Sequence, residues 1–164
     1  MAGGSGWNPG PDKDLTSASQ SRSDRRRPRI LIVEDNQTDV FLIREAIGSC
    51  KIDAEIDVVR DGQAALTWFE TVDEQHTEAC PDLILLDMNL PKRSGDEVLK
   101  HLRTSTNCRH SKVLIVSSSD APEDRHAVEI SGVAGYFRKP STYDDYMKLG
   151  PMIKSLLDQD SEKN

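Results

Sequence analysis

The chain has 164 residues and a formal net charge of −7, and its length suits one packed domain. Residues 29 to 164 hold 16 basic and 25 acidic side chains, an excess of negative charge that disfavours nucleic-acid binding by this region. No apolar run approaches the length needed to cross a bilayer, so we expect no membrane association.

The first 28 residues are rich in Gly, Ser, Pro and Asp and show no hydrophobic periodicity. Such a composition cannot bury enough apolar surface to fold, so residues 1 to 28 are predicted to be a disordered tail. The run Arg25, Arg26 and Arg27 at its end is interpreted as a solvated charge run, with an anionic surface as the alternative. We predict a folded domain over residues 29 to 158 and a disordered C-terminus over 159 to 164.

The cysteines Cys50, Cys80 and Cys108 are odd in number and widely spaced, and no CxxC pair or signal peptide accompanies them. This pattern favours reduced thiols in a cytoplasmic protein.

From residue 29 onward, short apolar runs typical of strands alternate with amphipathic stretches typical of helices. The predicted strands cover residues 29 to 34, 54 to 59, 83 to 87, 112 to 117 and 134 to 139. The predicted helices cover residues 38 to 48, 61 to 70, 94 to 104, 121 to 131 and roughly 142 to 157. Alternation at this spacing implies an α/β fold with a doubly wound, five-stranded parallel sheet flanked by five helices. Right-handed crossovers give the strand order 2-1-3-4-5.

Helix ends follow from capping residues and helix breakers. Thr38 is predicted to cap the first helix and Gly48 to end it. Gly150 and Pro151 interrupt the last helix, and proline removes a backbone donor, so a kink or break is expected there. Four apolar residues beyond the break are expected to be core, with a dimer contact as the alternative: Met152, Ile153, Leu156 and Leu157.

Acidic side chains follow two strands that should be neighbours in the sheet. Glu34 and Asp35 end the first strand and Asp87 ends the third, which places three carboxylates at the point where the winding reverses. Crowded carboxylates need protonation or a cation, and a hard divalent ion such as Mg²⁺ suits oxygen ligands. The main-chain carbonyl of Asn89 could complete such a site. With a metal bound, an aspartate can act as a nucleophile toward a phosphoryl group.

The last two strands offer groups that could hold a phosphoryl group. Ser117 ends the fourth strand with a hydroxyl donor, beside the small side chain of Ser118. Lys139 ends the fifth strand with a compact positive charge, and a cis bond to Pro140 would turn that lysine inward.

Four segments together resemble the receiver domain of two-component response regulators. They are VED (33 to 35), LLDMNLP with SGDEVL behind it (85 to 99), VLIVSSS (113 to 119) and GYFRKP (135 to 140). The resemblance spans about residues 29 to 157 and implies a flavodoxin-like fold that binds Mg²⁺.

Site roles then follow position by position. The resemblance implies that Asp87 is the phosphoacceptor and that Glu34 and Asp35 ligate the metal. It implies that Ser117 and Lys139 sense the phosphoryl group. The remaining roles concern the switch and the dephosphorylation rate: Tyr136 as an aromatic whose rotamer follows Ser117, and Asn89 and Ser119 as residues that tune the rate.

The resemblance implies a phosphoprotein that takes its phosphoryl group from a histidine kinase. Apart from this self-catalysed phosphotransfer and dephosphorylation, it implies no enzyme activity. No DNA-binding module follows the last helix, so the chain looks similar to single-domain regulators. The segments ETVDEQHTEACP and NLPKRSGDEVL resemble the subclass partnered with phytochrome-type photoreceptor kinases. Phosphorylation would shift the surface of the fourth helix, fifth strand and fifth helix, for another protein or a second copy to bind.

Three alternatives remain open. A haloacid-dehalogenase-type phosphatase also uses a strand-end aspartate but expects a second acid where Asn89 stands. A flavodoxin-like electron carrier would need a phosphate-binding loop after the first strand, where the sequence is the acidic EDNQTD. A pseudo-receiver would bind partners without being phosphorylated.

Phe41 departs from the pattern of the first helix. Leu42, Ile43, Ala46 and Ile47 form its apolar stripe, whereas Phe41 falls on the opposite, solvated face. An exposed aromatic near the acidic residues invites a partner, and the resemblance implies that this helix docks the kinase, so Phe41 is a candidate contact.

Overall fold

The computed structural model describes residues 26–76, 79–118 and 132–162. Its strands are β1 (Arg29–Val33), β2 (Glu55–Val59), β3 (Leu83–Leu86), β4 (Lys112–Ser117) and β5 (Gly135–Arg138). They form one sheet in the order β2-β1-β3-β4-β5, and every neighbouring pair is parallel. The predicted doubly wound fold is therefore confirmed.

The described helices cover both faces of this sheet. They are α1 (Gln37–Ser49), α2 (Gly62–Gln75), α3 (Gly95–Thr104), α4 (Tyr143–Tyr146) and α5 (Leu149–Glu162). The predicted fourth helix, residues 121 to 131, lies outside the described residues.

Two apolar clusters fill the space between the sheet and its helices. Leu31 and Val33 of β1 face the cluster under α2 and α3, whereas Ile30 and Ile32 face the cluster under α1 and α5. Because both faces are covered, residues 30–33 of β1 and the whole of β3 are continuous apolar runs without polar alternation.

The first helix begins earlier than predicted. Asn36, not Thr38, is its N-cap, and its side-chain oxygen accepts from the amides of Thr38 (2.8 Å) and Asp39 (3.2 Å). Asparagine is among the preferred capping residues, and the short link from β1 brings it to the helix start first. The helix continues through Gly48 to Ser49.

The second helix is longer than predicted. It begins after its N-cap Asp61 and runs five residues past Glu70 to Gln75. Val72, one turn after Phe69, is buried in the core, so the apolar stripe extends beyond the predicted helix end at Glu70.

The last helix is broken, as predicted, but the break precedes the expected position. The α4 turn ends at Tyr146 and α5 begins at Leu149, so Pro151 lies in the first turn of a new helix. Proline is tolerated there because first-turn amides have no partner within the helix.

The apolar residues of α5 are mostly core. Ile153 and Leu156 are buried against the α1 side of the sheet and Leu157 packs beside them, whereas Met152 stays exposed. Three of the four side chains are thus explained without a dimer contact.

The chain is held at the amino edge of the sheet, where the predicted tail meets β1. Arg26 forms a two-pronged ion pair with Asp82, at 2.9 and 3.0 Å, and Asp82 also accepts from the amide of Arg29. Arg27 pairs with Asp53 at 3.1 Å. These arginines therefore bind the domain itself.

The expectation that all cysteines are reduced thiols is wrong. Cys80, before β3, and Cys108, after α3, form a disulfide with their Cα atoms 5.3 Å apart, and Cys50 is a free thiol. Sequence spacing carries no sign of this pair, because β3 and α3 fold back between the two residues and bring them together.

None of the helices described here combines the length and apolarity that a bilayer-spanning segment needs.

Gly150 permits the close contact between α5 and α1. A Cβ atom at this position would lie 2.5 Å from the carbonyl oxygen of Ala46 and 2.7 Å from the Cys50 sulfur. The backbone oxygen belongs to a regular helix and has little room to move.

Gly150→Ala should therefore lower the free energy of unfolding by about 1–3 kcal/mol through overpacking. Gly48→Ala is the matched control, since a Cβ atom there meets nothing within 4 Å and alanine favours a helix over glycine. Urea unfolding of both variants checks the prediction. Equal stabilities would contradict the close contact.

Candidate functional site

The acidic residues predicted from the strand ends lie side by side. The amide of Glu34 donates to Val59 O (3.0 Å) and that of Asp87 donates to Val33 O (3.1 Å), so each acid directly extends the hydrogen-bonding ladder of its strand. Both are buried, whereas Asp35 is exposed. The parallel sheet thus places two nearly solvent-free carboxylates next to each other.

Lys139 follows β5, the last strand in the sheet order, and its side chain reaches these acids at the carboxyl end of the sheet. Its ammonium donates to Glu34 Oε1, to Asp87 Oδ2 (3.1 Å) and to Asp39 Oδ2 (3.0 Å). Its side chain is only 9% exposed. The three donors of the ammonium are therefore all directed at carboxylates.

The second oxygen of each buried carboxylate accepts a backbone amide. Glu34 Oε2 accepts from Asn36 N (3.1 Å), and Asp87 Oδ1 accepts from Asn89 N (3.0 Å). The backbone amide of Asn89 therefore holds the orientation of the Asp87 carboxylate, an interaction that the sequence did not predict.

Burial and crowding shift the protonation of the pocket. Burial raises the pKa of Glu34 to about 7, and the charge of Asp87 adds to this rise, while the hydrogen bond from Lys139 opposes it. Burial by itself would lower the pKa of Lys139, but its hydrogen bonds to Glu34 and Asp39 raise it above its ordinary value. The lysine therefore keeps its positive charge, whereas Glu34 gains a proton more readily than an ordinary glutamate.

The three predicted metal ligands fit a hard cation. Glu34, Asp35 and Asp87 each place one carboxylate oxygen within 4.8 Å of the others. Oxygen ligands of one Mg²⁺ ion lie about 2.1 Å from it, and hence about 3 to 4 Å from one another, so small side-chain rotations suffice. The donors are all oxygen, which suits Mg²⁺ or Mn²⁺ better than softer metals.

The fourth and fifth strands place their candidates at the same edge. Ser117 is fully buried at the end of β4, and its carbonyl accepts from the amide of Lys139 (2.9 Å). Tyr136 pairs in register with Ile115, two residues before Ser117, so both side chains lie on the same face of the sheet. Ser119 lies outside the described residues.

The Lys139–Pro140 bond is trans, so a cis bond is not what turns the lysine inward. Lys139 reaches the acids without it, because its residue directly continues β5 beside Ser117.

The connection after β3 is fixed by α3. Ser94 and Glu97 form a reciprocal capping box at the start of this helix. A Cβ atom on Gly95 would lie 2.6 Å from the carbonyl oxygen of Asp87, so only glycine lets the helix start approach the strand end this closely. The start of α3 therefore restricts the movement of the backbone that carries Asp87.

Sequence reasoning missed two residues of this network. Asp39, in the first turn of α1, accepts from Lys139, and the hydroxyl of Tyr146 in α4 donates to Asp39 Oδ1 at 3.1 Å. The acidic run after β1 was a weak signal for Asp39. Tyr146 had no signal, because its position is that of an ordinary core aromatic.

Phe41 is 58% exposed, as its place on the helical wheel predicts. It lies on the helix whose first turn carries Asp39. The side chain is thus exposed on the same helix that contributes Asp39 to the acidic pocket.

The fold and the site together define a flavodoxin-like α/β protein with a lysine-bridged acid pocket at its switch point. The chain belongs to the response regulator receiver domain family, whose model matches residues 30–149. This result confirms the receiver interpretation over the phosphatase and electron-carrier alternatives. The protein is a response regulator of two-component signalling.

Similar proteins include phytochrome response regulators. The response regulator Rcp1 of Synechocystis sp. is 33% identical over 126 residues, which cover 77% of this chain and 86% of that protein. A crystal structure of the phosphorylated cyanobacterial phytochrome response regulator RcpA aligns with a TM-score of 0.70 and 31% identity, over 79% of this chain and 92% of that one. The Mn²⁺-bound form of Rcp1 aligns with a TM-score of 0.69 and 33% identity, over 78% and 92% of the two chains.

Proposed function

We propose that Asp87 accepts a phosphoryl group with the help of a divalent cation, Mg²⁺, bound by Glu34, Asp35 and Asp87. The observation that carries this proposal is the buried Asp87 carboxylate, which receives the Lys139 ammonium on one oxygen and a backbone amide on the other. A carboxylate held in one orientation beside a fixed positive charge is suited to attack phosphorus, because the negative charge of the phosphoryl oxygens must be neutralised during the attack. The phosphorylated form of RcpA supports the proposal by similarity.

In the proposed step, a carboxylate oxygen of Asp87 forms a bond to phosphorus while the bond from phosphorus to the donor's histidine nitrogen breaks. The nitrogen keeps the electron pair, and the product is an acyl phosphate. Lys139 then turns donors toward the new phosphoryl oxygens. A bound divalent cation supplies charge neutralisation, with the Asn89 carbonyl as a further ligand.

The readout uses the end of β4. Ser117 and Lys139 bind the phosphoryl group, and Tyr136 on the same face of the sheet follows Ser117. This would change the surface formed by β5, the last helix and the segment that the sequence predicts as the fourth helix. Asn89 and Ser119 tune the rate of dephosphorylation.

The phosphoryl donor in this proposal is a histidine kinase of the phytochrome type in the cytoplasm, in keeping with the phytochrome regulators that the chain resembles. Phe41 is the proposed contact with that kinase. A second copy of the chain remains a candidate for the output side.

Incubation with acetyl phosphate and Mg²⁺ should add the mass of one phosphoryl group to the intact protein. Asp87→Asn should add none, because the amide nitrogen that replaces a carboxylate oxygen is not nucleophilic. Intact mass spectrometry measures both. An unmodified parent chain would favour the pseudo-receiver, which only binds partners.

Metal binding has its own test. Asp35→Asn removes a charged oxygen ligand and should weaken Mg²⁺ binding by about tenfold or more in titration calorimetry. Asp53→Asn is the control, since this aspartate is 80% exposed and pairs with Arg27 outside the pocket. Similar losses in the two variants would indicate a general charge effect and no defined site.

Kinase docking can be separated from chemistry. Phe41→Ala should slow phosphotransfer from the cognate histidine kinase by about tenfold, as expected when an interface aromatic is lost. The same variant should react with acetyl phosphate at the parent rate, because the hydrogen bonds of the acid pocket come from other residues. Unchanged transfer from the kinase would remove Phe41 from the interface.

A further inference from the structure

The Lys139 ammonium is connected to the last helices through Asp39. Asp39 Oδ2 accepts from Lys139 Nζ at 3.0 Å, and Asp39 Oδ1 accepts from the Tyr146 hydroxyl at 3.1 Å. Tyr146 is only 2% exposed, and its ring packs against Phe137 with centroids 5.9 Å apart. A short chain of hydrogen bonds thus runs from α4 to the pocket.

Asp39 differs from the other two acceptors of this ammonium. Glu34 and Asp87 both belong to the cluster that could hold a metal ion, whereas Asp39 does not. A cation that draws on Glu34 and Asp87 would compete with the lysine for their oxygens. Asp39 is the acceptor that this competition leaves to Lys139.

Phosphorylation of Asp87 would likewise leave Asp39 as the carboxylate that still accepts from Lys139. An ammonium has three donors, and all three are directed at carboxylates in this structure. To bind a phosphoryl group, Lys139 must redirect donors from Glu34 and Asp87. One donor can stay on Asp39 and hold the nitrogen close to Asp87 while the others turn.

We propose that Asp39, oriented by the Tyr146 hydroxyl, is a positioning residue that retains the Lys139 ammonium beside Asp87 when this carboxylate carries a phosphoryl group. The inference rests on the proposed role of Asp87 as phosphoacceptor. It assigns the start of α1 and the short α4 helix a part in holding the phosphoryl group.

The hydroxyl acts as a neutral donor in this arrangement. Burial raises the pKa of Tyr146, and the negative charge of Asp39 raises it further. The phenol therefore stays protonated at neutral pH and can donate to Asp39.

The substitution Tyr146→Phe tests the contribution of the hydroxyl apart from that of the ring. The ring remains available for packing against Phe137, and only the hydrogen bond to Asp39 is lost. Tyr143→Phe is a matched control on the same helix, because Tyr143 is 52% exposed and its hydroxyl donates to Glu45 at 3.3 Å, away from Lys139.

The probe is trifluoroberyllate, a phosphoryl mimic, added to the full chain at saturating Mg²⁺. Tyr146→Phe should weaken its binding by about three- to tenfold, the effect expected from the loss of one hydrogen bond. Binding of Mg²⁺ alone should stay within about twofold of the parent, because Asp39 lies outside the metal cluster. This split between the two affinities would not arise from a loss of packing. Tyr143→Phe should match the parent in both measurements.

A double variant tests whether Tyr146 acts through Asp39. In an Asp39→Ala background the acceptor of the hydroxyl is gone, so Tyr146→Phe should have no further effect on trifluoroberyllate binding. An equal effect in both backgrounds would overturn the inference.

Failure of the inference and failure of the proposed function look different. A parent chain that binds neither trifluoroberyllate nor a phosphoryl group overturns the role of Asp87 and the inference with it. A parent chain that binds both, while Tyr146→Phe and Tyr143→Phe behave alike, overturns the inference alone.

Discussion

The buried ammonium of Lys139 is the interaction on which the rest of the site depends. Two nearly solvent-free carboxylates, Glu34 and Asp87, would repel each other strongly without it, and a buried charge left without a partner is strongly destabilising. The lysine ends β5, whereas the acids end β1 and β3, so one side chain joins three strand ends. Any change in the relative position of these strands must change the distances around that nitrogen.

The α1 helix brings core, pocket and surface together. Its apolar stripe packs against the sheet, Asp39 in its first turn accepts from Lys139, and Phe41 is exposed on the opposite side. Because these residues share one rigid helix, a partner bound at Phe41 would sit within about one helical turn of the pocket's rim. The helix is fixed in turn by the close contact with α5 that Gly150 permits.

The parts of the structure that sequence reasoning predicts are those set by local pattern. Buried apolar runs identify the strands, and parallel strands necessarily align their carboxyl ends, so the meeting of Glu34, Asp35, Asp87 and Lys139 follows from topology. The parts that it missed depend on tertiary packing. Asp39 reaches Lys139 only because of how α1 docks, and Tyr146 finds Asp39 only because α4 is separate from α5. The Cys80–Cys108 pair depends in the same way on the return of α3 toward the sheet.

The ion pair between Arg26 and Asp82 fixes where the chain enters the domain. It lies at the amino edge of the sheet, where Asp82 also binds the first residue of β1, and the acid pocket lies at the opposite edge. Five residues of extended strand separate the two edges by about 16 Å. A fluorescent reporter or a sensor-chip tether fused upstream of Arg26 would therefore attach to the domain at the end opposite the acid pocket and would leave the entrance to that pocket unobstructed.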